Sequence, residues 1–281
     1  MNCAWQALLE LLPLWTRSHV ETWKNSLQEV RFRIGESPEL LSGQGSLFLD
    51  RKIAADDLSF VVNMGSKYSP WAAETAASGY ITARGGHRIG ICGAVSSHNG
   101  NIQGIRIPTS LCIRVARDIS GIASTLGRIG ESLLLIGPPG SGKTTLLRDL
   151  IRRISGFGNG SVAVVDERGE LFPSVSGKMF FYPGPRTDVL TGCSKADGIE
   201  MVLRSMGPSY IAVDEVTNKT DCDALVHGAW CGVSVIATAH AGSSADLYAR
   251  PVYQPLVQSG IFRKLVVLKP DKTWTVEGIH R

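Results

Sequence analysis

The stretch that decides the fold is Gly137-Pro-Pro-Gly-Ser-Gly-Lys-Thr144, which fits the pattern G-x-x-x-x-G-K-[ST]. A phosphate group needs several hydrogen-bond donors that converge on one point, and glycines let backbone N–H groups turn inward to supply them. The helix that begins at Lys143 adds the positive end of its dipole. We expect Lys143 to reach the β- and γ-phosphates and Thr144 to give a hydroxyl to Mg²⁺. The stretch therefore predicts a phosphate-binding loop, or P-loop, for ATP or GTP.

A strand and a helix are predicted on the two sides of this loop, as a P-loop requires. Ser132–Ile136 is a short apolar run, and Thr144–Ile154 carries leucines and isoleucines on one helical stripe. The stripe places Arg148, Arg152 and Arg153 on the outer face of the helix. The residues predicted to bind the nucleotide are Gly137, Pro138, Pro139, Gly140, Ser141, Gly142, Lys143, Thr144 and Thr145.

A second apolar run, Tyr210–Val213, ends in two adjacent carboxylates, Asp214 and Glu215. In P-loop enzymes an acidic residue at a strand end holds magnesium, and we assign this role to Asp214 together with Thr144. A carboxylate beside it can polarise the attacking water, which makes Glu215 the candidate catalytic base. Binding alone needs one acid, so the pair favours hydrolysis. Two solvent-facing acids at a strand end are the alternative.

Two further predicted strands end in polar residues. Val162–Val165 is followed by Asp166-Glu-Arg-Gly-Glu170, and a later apolar run ends in Thr238-Ala-His240. Because the carboxyl ends of parallel strands share one edge of a sheet, we expect these residues beside the P-loop. Glu167 is a candidate for ordering the metal-bound water or the nucleophile, and His240 for sensing the γ-phosphate. A surface turn and a structural histidine are the alternatives.

The alternation of strands and helices over residues 121–281 predicts a parallel α/β sheet. Ser194 with Asp197, and Thr220 with Asp223, look like capping boxes that start two of the helices. The fold class is therefore α/β, with a RecA-like P-loop NTPase core over residues 121–281 and a smaller N-terminal α+β domain over residues 1–120. The predicted strands of the core are Ser132–Ile136, Val162–Val165, Tyr210–Val213, Val233–Ala239 and Phe262–Leu268.

Over residues 1–120 the apolar residues follow a different spacing. Trp5, Leu8, Leu9 and Leu12 follow helical spacing, as do Val20, Trp23, Leu27 and Val30. Alternation then predicts a strand over Val30–Ile34. The other predicted elements are a strand at Leu47–Leu49, helices from Asp56 to about Ser66 and near Trp71, a hairpin over Tyr80–Val95 that turns at Gly85-Gly86, and strands at Ile105–Ile107 and Ile113–Ala116.

Three arginines, Arg106, Arg114 and Arg117, lie in or beside the last strands of this first region. An arginine supplied by a neighbouring domain or subunit can stabilise the charge of a phosphoryl-transfer transition state. We therefore treat Arg114 as a candidate catalytic residue. Solvated strand edges account for the three side chains equally well.

Composition narrows the class of protein. The chain has 281 residues, 43% of them apolar, which is enough for two domains with a sizeable core. The net charge of +4 is shared between the two halves, so no specific nucleic-acid partner is expected. No apolar run approaches the ~20 residues of a membrane-spanning helix. Six cysteines without zinc spacing, and no recognisable signal peptide, predict reduced, buried thiols in a cytoplasmic protein.

In this order the motifs resemble those of the secretion-type ATPases, the hexameric motors of type II and type IV secretion and of pilus retraction. Within that superfamily they are most similar to the sporulation family called stage III AA. The resemblance covers nearly the whole chain. It rests on Glu29-Val-Arg-Phe-Arg-Ile-Gly35, Gly86-His-Arg-Ile-Gly90, the P-loop through Thr145, Val165-Asp-Glu-Arg-Gly-Glu170, Arg186-Thr-Asp-Val-Leu-Thr-Gly-Cys193, Leu203-Arg-Ser-Met-Gly-Pro208, Asp214-Glu215, Thr238-Ala-His-Ala241 and Arg250-Pro-Val252.

The resemblance implies a Mg²⁺-dependent ATPase that forms a homo-oligomer, a hexameric ring with ATP between subunits. It implies a place at the inner face of the membrane around the developing spore, on the mother-cell side, with membrane proteins of a sporulation channel complex as partners. Hydrolysis would drive assembly of that complex or transport through it. The acidic box of the superfamily maps onto Asp166, Glu167 and Glu170, its catalytic glutamate onto Glu215 and its histidine box onto His240.

The sequence departs from the larger secretion ATPases at three points. They often place glycine before the catalytic glutamate, where this chain has Asp214, which strengthens magnesium binding. Many of them carry a tetracysteine zinc module that has no counterpart here. Their arginine fingers have no unambiguous match, so the arginine that acts in trans is not assigned by the resemblance.

Other functions fit parts of the pattern. One alternative is a P-loop ATPase that depends on single-stranded nucleic acid, although the even charge distribution disfavours it. Another is a small-molecule kinase, for which the loop-like segment Gly177–Gly192 with Arg186 would be a lid. A third is a nucleotide-gated switch with little turnover, against which the Asp214-Glu215 pair argues.

Overall fold

The computed structural model describes residues 3–66, 79–98, 101–127, 130–157, 160–175 and 177–279. They divide into two compact units, Met1–Asp118 with Pro173–Phe180, and Ile119–Phe172 with Phe181–Arg281. The segment 173–180, which the sequence analysis assigned to the core domain, groups with the first unit. The division into domains at residue 120 stays a prediction.

The first unit is built on an antiparallel sheet of six strands in the order β3-β2-β1-β6-β5-β4. Among the described residues of this unit, three α-helices precede or interrupt these strands, and a short hairpin of β9 (Ser174–Val175) and β10 (Lys178–Met179) also belongs to it. The helices are α1 (Trp5–Leu11), α2 (Leu14–Glu21) and α3 (Ala55–Ser66), and the strands are β1 (Leu27–Arg33), β2 (Glu39–Ser42), β3 (Gly45–Phe48), β4 (Tyr80–Thr82), β5 (Arg88–His98) and β6 (Asn101–Arg114).

The core of this unit lies on one face of the sheet. Val30 and Phe32 of β1 are fully buried among residues of α1 and α3, whereas the alternating residues Arg31 and Arg33 remain accessible. This is the alternation expected of an antiparallel strand with one covered face. The apolar residues of the helices and of the sheet therefore meet in one cluster, which includes Leu8, Leu58 and Ile113.

The second unit is built on a seven-stranded sheet in the order β11-β8-β12-β13-β7-β14-β15. Neighbouring strands are parallel except for the last pair, β14 and β15, which is antiparallel. The strands are β7 (Leu133–Ile136), β8 (Val162–Asp166), β11 (Thr187–Thr191), β12 (Tyr210–Val216), β13 (Ser234–Ala239), β14 (Lys264–Leu268) and β15 (Trp274–Gly278), and the helices are α4 (Lys143–Phe157), α5 (Lys195–Met206), α6 (Lys219–Trp230), α7 (Ser244–Ala249) and α8 (Gln254–Ser259).

Helices cover both faces of this sheet. Alternate strand residues such as Ile136 and Val165 share one cluster with α5 and α6. The residues between them, such as Leu135 and Val164, are also fully buried, and α4 is the helix that packs against those central strands. Because both faces are buried, the strands read as continuous apolar runs. The fold is thus the predicted α/β P-loop core, accompanied by an α+β unit.

Most predicted elements are confirmed, with shifts of a residue or two, but several predictions are wrong. The helical spacing assigned to Val20–Val30 spans the end of α2 and the start of β1. A register irregularity between Leu27 and Glu29 puts two buried residues, Leu27 and Val30, three apart in a strand, which imitates helical spacing. The predicted strands at Ile105–Ile107 and Ile113–Ala116 are one strand, β6. Its alternation is broken by a register shift opposite Pro108.

In the second unit, the segment treated as a lid contains the edge strand β11, and Arg186 before it donates from Nε to the Ser155 carbonyl. The cap of α6 is Asn218, not Thr220, because the Asn218 side chain accepts the N–H of Asp221. Arg148, expected on the outer face of α4, is buried. No predicted element corresponds to β2, β15, α7, α8 or the β9–β10 hairpin. The helix predicted near Trp71 lies outside the described residues.

The thiols depart in part from the prediction. All six cysteines are free, but only Cys222 is fully buried, while Cys92 and Cys231 are exposed. Within the described parts of the chain, no helix combines the length and apolarity needed to cross a bilayer.

His87 of the first unit is a fully buried ring. Its Nε2 lies 3.0 Å from the Ala4 carbonyl oxygen, and its Nδ1 accepts the N–H of Ala116 at 3.1 Å. Because Nδ1 accepts, the ring is neutral and Nε2 carries the hydrogen. Burial lowers the pKa of His87 from 6.5 to about 4. Protonation would set a second N–H against the amide of Ala116, so the neutral ring is part of the folded structure.

This arrangement predicts acid lability. The folded-state pKa lies below that of the unfolded chain, so the unfolded chain binds the proton more tightly and stability falls as the pH drops from 6.5 towards 4. The loss specific to His87 is about 3 kcal/mol, at about 1.4 kcal/mol per pKa unit. In urea unfolding from pH 7 to pH 4, the stability difference between the wild type and His87→Gln should narrow by that amount. The exposed control His19→Gln should run parallel to the wild type, and a constant difference for His87→Gln would contradict the assignment.

Candidate nucleotide site

The carboxyl ends of four neighbouring strands lie side by side in the second unit. In the order of the sheet they are β8, β12, β13 and β7, and β7 leads directly into Gly137. Val213 pairs with Val165, and Ala239 pairs with Ile136, so the strands end in register. The sheet edge therefore brings together the P-loop and the polar residues that follow β8, β12 and β13, as the sequence predicts.

The P-loop closes around the ammonium group of Lys143. Gly140 and Gly142 take positive φ values of 76° and 95°, which side chains rarely adopt. Nζ of Lys143 donates to the carbonyl oxygens of Gly137 and Pro138, both at 2.9 Å. Burial lowers the pKa of Lys143, and the negative charges of Asp214 and Glu215 oppose that shift. The Ser141 hydroxyl is buried and has no hydrogen-bond partner among the described residues.

Two threonine hydroxyls converge on the carboxylate of Asp214. Oγ1 of Thr144 donates to Oδ2 at 2.7 Å, and Oγ1 of Thr238 donates to Oδ1. The carboxylate is almost completely buried, and burial raises its pKa, against the effect of the two hydroxyl hydrogen bonds. Asp214 is therefore a buried acid fixed to the first residue after the P-loop lysine, on one side, and to the neighbouring strand, on the other.

A β-bulge explains how two adjacent acids can serve one site. In a regular strand, neighbouring side chains point to opposite faces of the sheet. Val213 pairs with Ala237 and Val216 pairs with Ala239, so Asp214 and Glu215 together stand opposite Thr238. Glu215 takes a φ of 52°, rare for a residue with a side chain, and its N–H donates to Oγ1 of Thr238 at 2.8 Å. The bulge re-aims both carboxylates towards the edge that carries the P-loop.

Glu215 and Lys143 are linked through His240. Nδ1 of His240 lies 3.2 Å from Nζ of Lys143, and Nε2 lies 3.3 Å from Oε1 of Glu215. An ammonium group can only donate, so Nδ1 is the acceptor and Nε2 carries the hydrogen towards the carboxylate. The other oxygen of Glu215 lies 3.3 Å from Nη1 of Arg168. The backbone of His240 is held by the hydroxyl of Tyr253, which accepts its N–H and donates to the Val216 carbonyl, both at 3.2 Å.

Asp166, at the end of β8, organises the loop that follows. Its carboxylate accepts the N–H groups of Glu170, Leu171 and Phe172 at 2.9 to 3.0 Å. Burial nevertheless raises the pKa of Asp166 to about 6. Arg148 of α4 donates to the carbonyl oxygens of the same loop and stacks on a phenylalanine ring. Asp166 thus shapes the backbone of the acidic loop, while Glu167 and Glu170 line the cleft beside it.

Glu167 is paired with a buried lysine. Its Oε2 forms a short contact with Nζ of Lys195, at the start of α5, and the same ammonium group lies 4.0 Å from Oδ2 of Asp221 in α6. The cleft that Glu167 lines is also lined by Asp214 and Glu215. Glu167 therefore lies close to the two principal acids, and a cation fixes its position.

The structure brings together most of the predicted site residues, but their roles stay predictions. The P-loop, Asp214, Glu215, Glu167 and His240 meet at one edge of the second unit. Arg114 is not among them: it lies on β6 of the first unit, where its side chain is 64% exposed and Nε lies 3.4 Å from Oε1 of Glu29. Arg117 of the same unit donates to two carbonyl groups near the end of α2.

Four residues that contribute to the site were not singled out from the sequence: Thr238, Arg168, Lys195 and Tyr253. Thr238 and Arg168 stand inside motifs that were recognised, so their positions carried a signal. Lys195 follows the helix cap Ser194, where a positive charge opposes the helix dipole, and that conflict was a usable signal. Tyr253 lies in a stretch without a motif, and its contacts are purely tertiary.

These features define a P-loop protein of the secretion-ATPase fold, and solved structures agree with that class. The structure of the pilus retraction motor PilT with bound ADP matches with a TM-score of 0.60 and 18% identity, covering 89% of this chain and 76% of that one. The ATPase DotB of Legionella pneumophila matches with a TM-score of 0.56 and 17% identity, covering 94% and 78%. At these identities the likeness is one of fold.

The chain belongs to the family "Sporulation stage III, protein AA", whose model matches residues 9–281. It is 38% identical over 257 residues to stage III sporulation protein AA of Bacillus subtilis (strain 168), which covers 88% of this chain and 83% of that protein. The resemblance drawn from the motifs is confirmed by both comparisons.

The contacts of Thr238 predict that its hydroxyl holds the acidic pair. In Thr238→Val, Asp214 loses a donor, and the Glu215 amide loses the shorter of its two acceptor contacts and keeps only Oδ1 of Asp214 at 3.2 Å, so the free energy of unfolding should fall by about 1–3 kcal/mol. Urea unfolding measures the change, and Thr238→Ser should restore most of it. The exposed Thr220→Val is the control and should stay within about 0.5 kcal/mol of the wild type. A Thr238→Val protein as stable as the wild type would show that the hydroxyl is dispensable.

Proposed function

We propose that this protein binds and hydrolyses ATP in a Mg²⁺-dependent reaction. The observation that carries the proposal is the hydrogen bond between Oγ1 of Thr144 and Oδ2 of Asp214, at 2.7 Å, beside the Glu215 carboxylate. It joins the end of the P-loop to the strand end that carries the candidate base. The choice of ATP over GTP is supported by the similarity in fold to proteins described as ATPases and to a motor with bound ADP.

The residues present fit a nucleotide phosphate and a magnesium ion. The Ser141 hydroxyl and the loop glycines offer donor groups and close backbone approach, as a phosphate requires. The hydroxyl of Thr144 and the carboxylate of Asp214 are oxygen ligands of the kind Mg²⁺ prefers. A cation next to Asp214 would also offset the burial that raises the pKa of this acid. When bound, Mg²⁺ would neutralise charge on the phosphate oxygens.

The protein side chains bind the phosphates, accept the proton of the attacking water and orient the group that accepts it. Lys143 binds the β- and γ-phosphates through its ammonium group, in exchange for the carbonyl oxygens and the His240 nitrogen that it contacts in the structure. The Glu215 carboxylate accepts a proton from the attacking water. His240 donates from Nε2 and Arg168 from Nη1 to that carboxylate, and these two contacts fix its orientation. Because Lys143 also contacts His240, phosphate binding at the lysine changes the hydrogen bonding of the ring that orients the base.

We further propose that hydrolysis serves sporulation, with the protein as a hexameric ring at the mother-cell face of the membrane around the forespore. Membership of the sporulation family and the fold shared with the pilus retraction motor support this role. In such a ring the site would act together with an arginine of the next subunit, and Arg114 is our candidate for it. Membrane proteins of the sporulation channel complex are the proposed partners.

Two substitutions test the hydrolytic site. Lys143→Ala should weaken binding of a fluorescent ATP analogue about 10-fold or more, because the ammonium contact to the phosphates is lost. Glu215→Gln should bind that analogue like the wild type but release phosphate about 100-fold or more slowly, because the base is lost. Titration with the fluorescent analogue measures binding. Phosphate release with Mg²⁺, and after a chelator has removed Mg²⁺, measures turnover and the metal requirement.

The matched controls are Lys264→Ala and Glu131→Gln, a partnered lysine and glutamate at the opposite end of the sheet. Both should keep the wild-type rate. Turnover by Glu215→Gln at the wild-type rate would show that another group is the base. Stimulation of turnover by single-stranded DNA or RNA would favour the nucleic-acid-dependent alternative.

The proposed ring predicts that the mass in solution depends on the nucleotide. Light scattering during gel filtration should give a particle of about six times the 30.2 kDa chain mass with Mg²⁺ and a non-hydrolysable ATP analogue, since the nucleotide would join subunits. In Lys143→Ala the analogue should not change the mass. Arg114→Ala should lower turnover, while Arg33→Ala, an exposed and paired arginine of the same sheet, should not. A monomer under all conditions would rule out nucleotide-driven assembly of the isolated chain.

A further inference from the structure

Lys195 is a buried cation at the start of α5. Its side chain is 6% exposed, and its ammonium group contacts the carboxylate of Glu167 and lies 4.0 Å from that of Asp221, which is equally buried. Glu167 follows β8, and Asp221 belongs to the first turn of α6, which follows β12. One ammonium group therefore connects the segments after the two strands that carry the acids of the site.

The position of this lysine opposes two general tendencies. A positive charge in the first turn of a helix is disfavoured by the helix dipole, which places partial positive charge there. A buried ammonium group also loses its hydration, and it is stable in the folded protein only when it is well paired. An uncharged or acidic residue at position 195 would suit the helix better, so the lysine serves something beyond the stability of α5.

The charges in the cleft next to Lys195 indicate the role of this lysine. Five acidic residues line that cleft together with two cations, Lys195 and Arg168, of which Arg168 is paired with Glu215; the acids are Asp166, Glu167, Glu170, Asp214 and Glu215. Negative charges this close together repel one another, and the repulsion tends to turn the more accessible carboxylates towards solvent. Glu167 is such a residue, since its side chain is 38% exposed, but its contact with Lys195 keeps it at the cleft.

Asp221 supplies a second negative charge to the lysine, 4.0 Å from its ammonium group. Its backbone N–H is held by the Asn218 cap at 2.8 Å, and its Oδ2 accepts the N–H of Thr217 at 3.4 Å. Thr217 comes directly after β12, whose bulge carries Asp214 and Glu215. The position of the ammonium group is thus tied to the backbone segment that follows the candidate base.

From these contacts we infer that Lys195 is a positioning residue for hydrolysis, which holds the Glu167 carboxylate in the cleft beside Glu215 so that the two acids together order the attacking water. The inference rests on the proposed ATPase function and adds a residue to it. Lys195 acts through Glu167 and does not itself bind the phosphates. Its removal therefore affects the chemical step and leaves nucleotide binding intact.

The test is the steady-state turnover of full-length Lys195→Met with MgATP. Turnover (kcat) should fall roughly 10- to 100-fold, the usual effect of removing a group that orients a site residue, while KM and the affinity for a fluorescent ATP analogue stay within about 3-fold. Lys195→Arg, which keeps the charge, should be more active than Lys195→Met. The matched control is Lys219→Met, a lysine at the start of α6 that is 74% exposed and should keep the wild-type rate.

A double-mutant cycle with Glu167→Gln shows whether the lysine acts through its partner. If it does, Lys195→Met lowers kcat little further in the Glu167→Gln protein. Equal losses in both backgrounds would overturn the inference, and so would a rise in KM as large as the fall in kcat, which would indicate a phosphate contact. Lys195→Met alone leaves the buried carboxylate of Asp221 without its cation and could fail to fold. In that case Lys195→Met combined with Asp221→Asn, which removes both buried charges, supplies the folded comparison.

The outcomes separate this inference from the proposed function. Wild-type protein that releases no phosphate, or releases it no faster than Glu215→Gln, contradicts the proposed function, and the positioning role is lost with it. Wild-type turnover that depends on Glu215 but is unchanged in Lys195→Met overturns the positioning role alone.

Discussion

The candidate site depends on the sharing of one buried carboxylate, that of Asp214, between two threonine hydroxyls. Thr144 belongs to the helix after the P-loop and Thr238 to the strand next to β12, so the shared acid joins three elements that are distant in sequence. A buried carboxylate without partners is costly, which is why the two donors and the burial must be considered together. The same pairing also fixes the bulge, because the Thr238 hydroxyl that donates to Asp214 accepts the amide of Glu215.

A second group of contacts then follows from the bulge. Once Glu215 is turned towards the sheet edge, its two oxygens face His240 and Arg168, and His240 in turn faces Lys143. The result is a chain of polar contacts from the P-loop lysine to the candidate base. Lys195 and Glu167 form a separate pair in the neighbouring cleft. The acids at this edge are therefore compensated by neighbouring cations within the site.

The sequence was most informative about features that depend on residues close together in the chain. Strands buried on both faces must be apolar throughout, so β7, β8, β12 and β13 were visible as apolar runs, and their polar ends marked the site. Glycine spacing in the P-loop reported its backbone conformation directly. Together these signals predict that the P-loop, Asp214, Glu215 and His240 lie at one edge of the sheet.

What escaped prediction depends on contacts between distant segments. The irregularity at Leu27 made a strand resemble a helix, and the polar edge strand β11 lacked the apolar run of its buried neighbours. Arg148 is buried although its place on the helix suggested exposure, because carbonyl groups of the acidic loop receive its hydrogen bonds. The partners of Lys195 lie in two other segments of the chain, and the residues next to Lys195 in the sequence do not indicate which acids these are.

The chain passes between the two units three times. It enters the second unit at Ile119, leaves it after Phe172 for the eight residues Pro173–Phe180, and returns at Phe181. Neither unit is therefore a contiguous piece of sequence, and a fragment cut at residue 118 would lack the β9–β10 hairpin. Both ends of that excursion continue into the second unit, and its start lies seven residues beyond Asp166 along the chain. The two units are consequently joined by the chain at three places, so no single cut releases a fragment that carries one complete unit and nothing of the other.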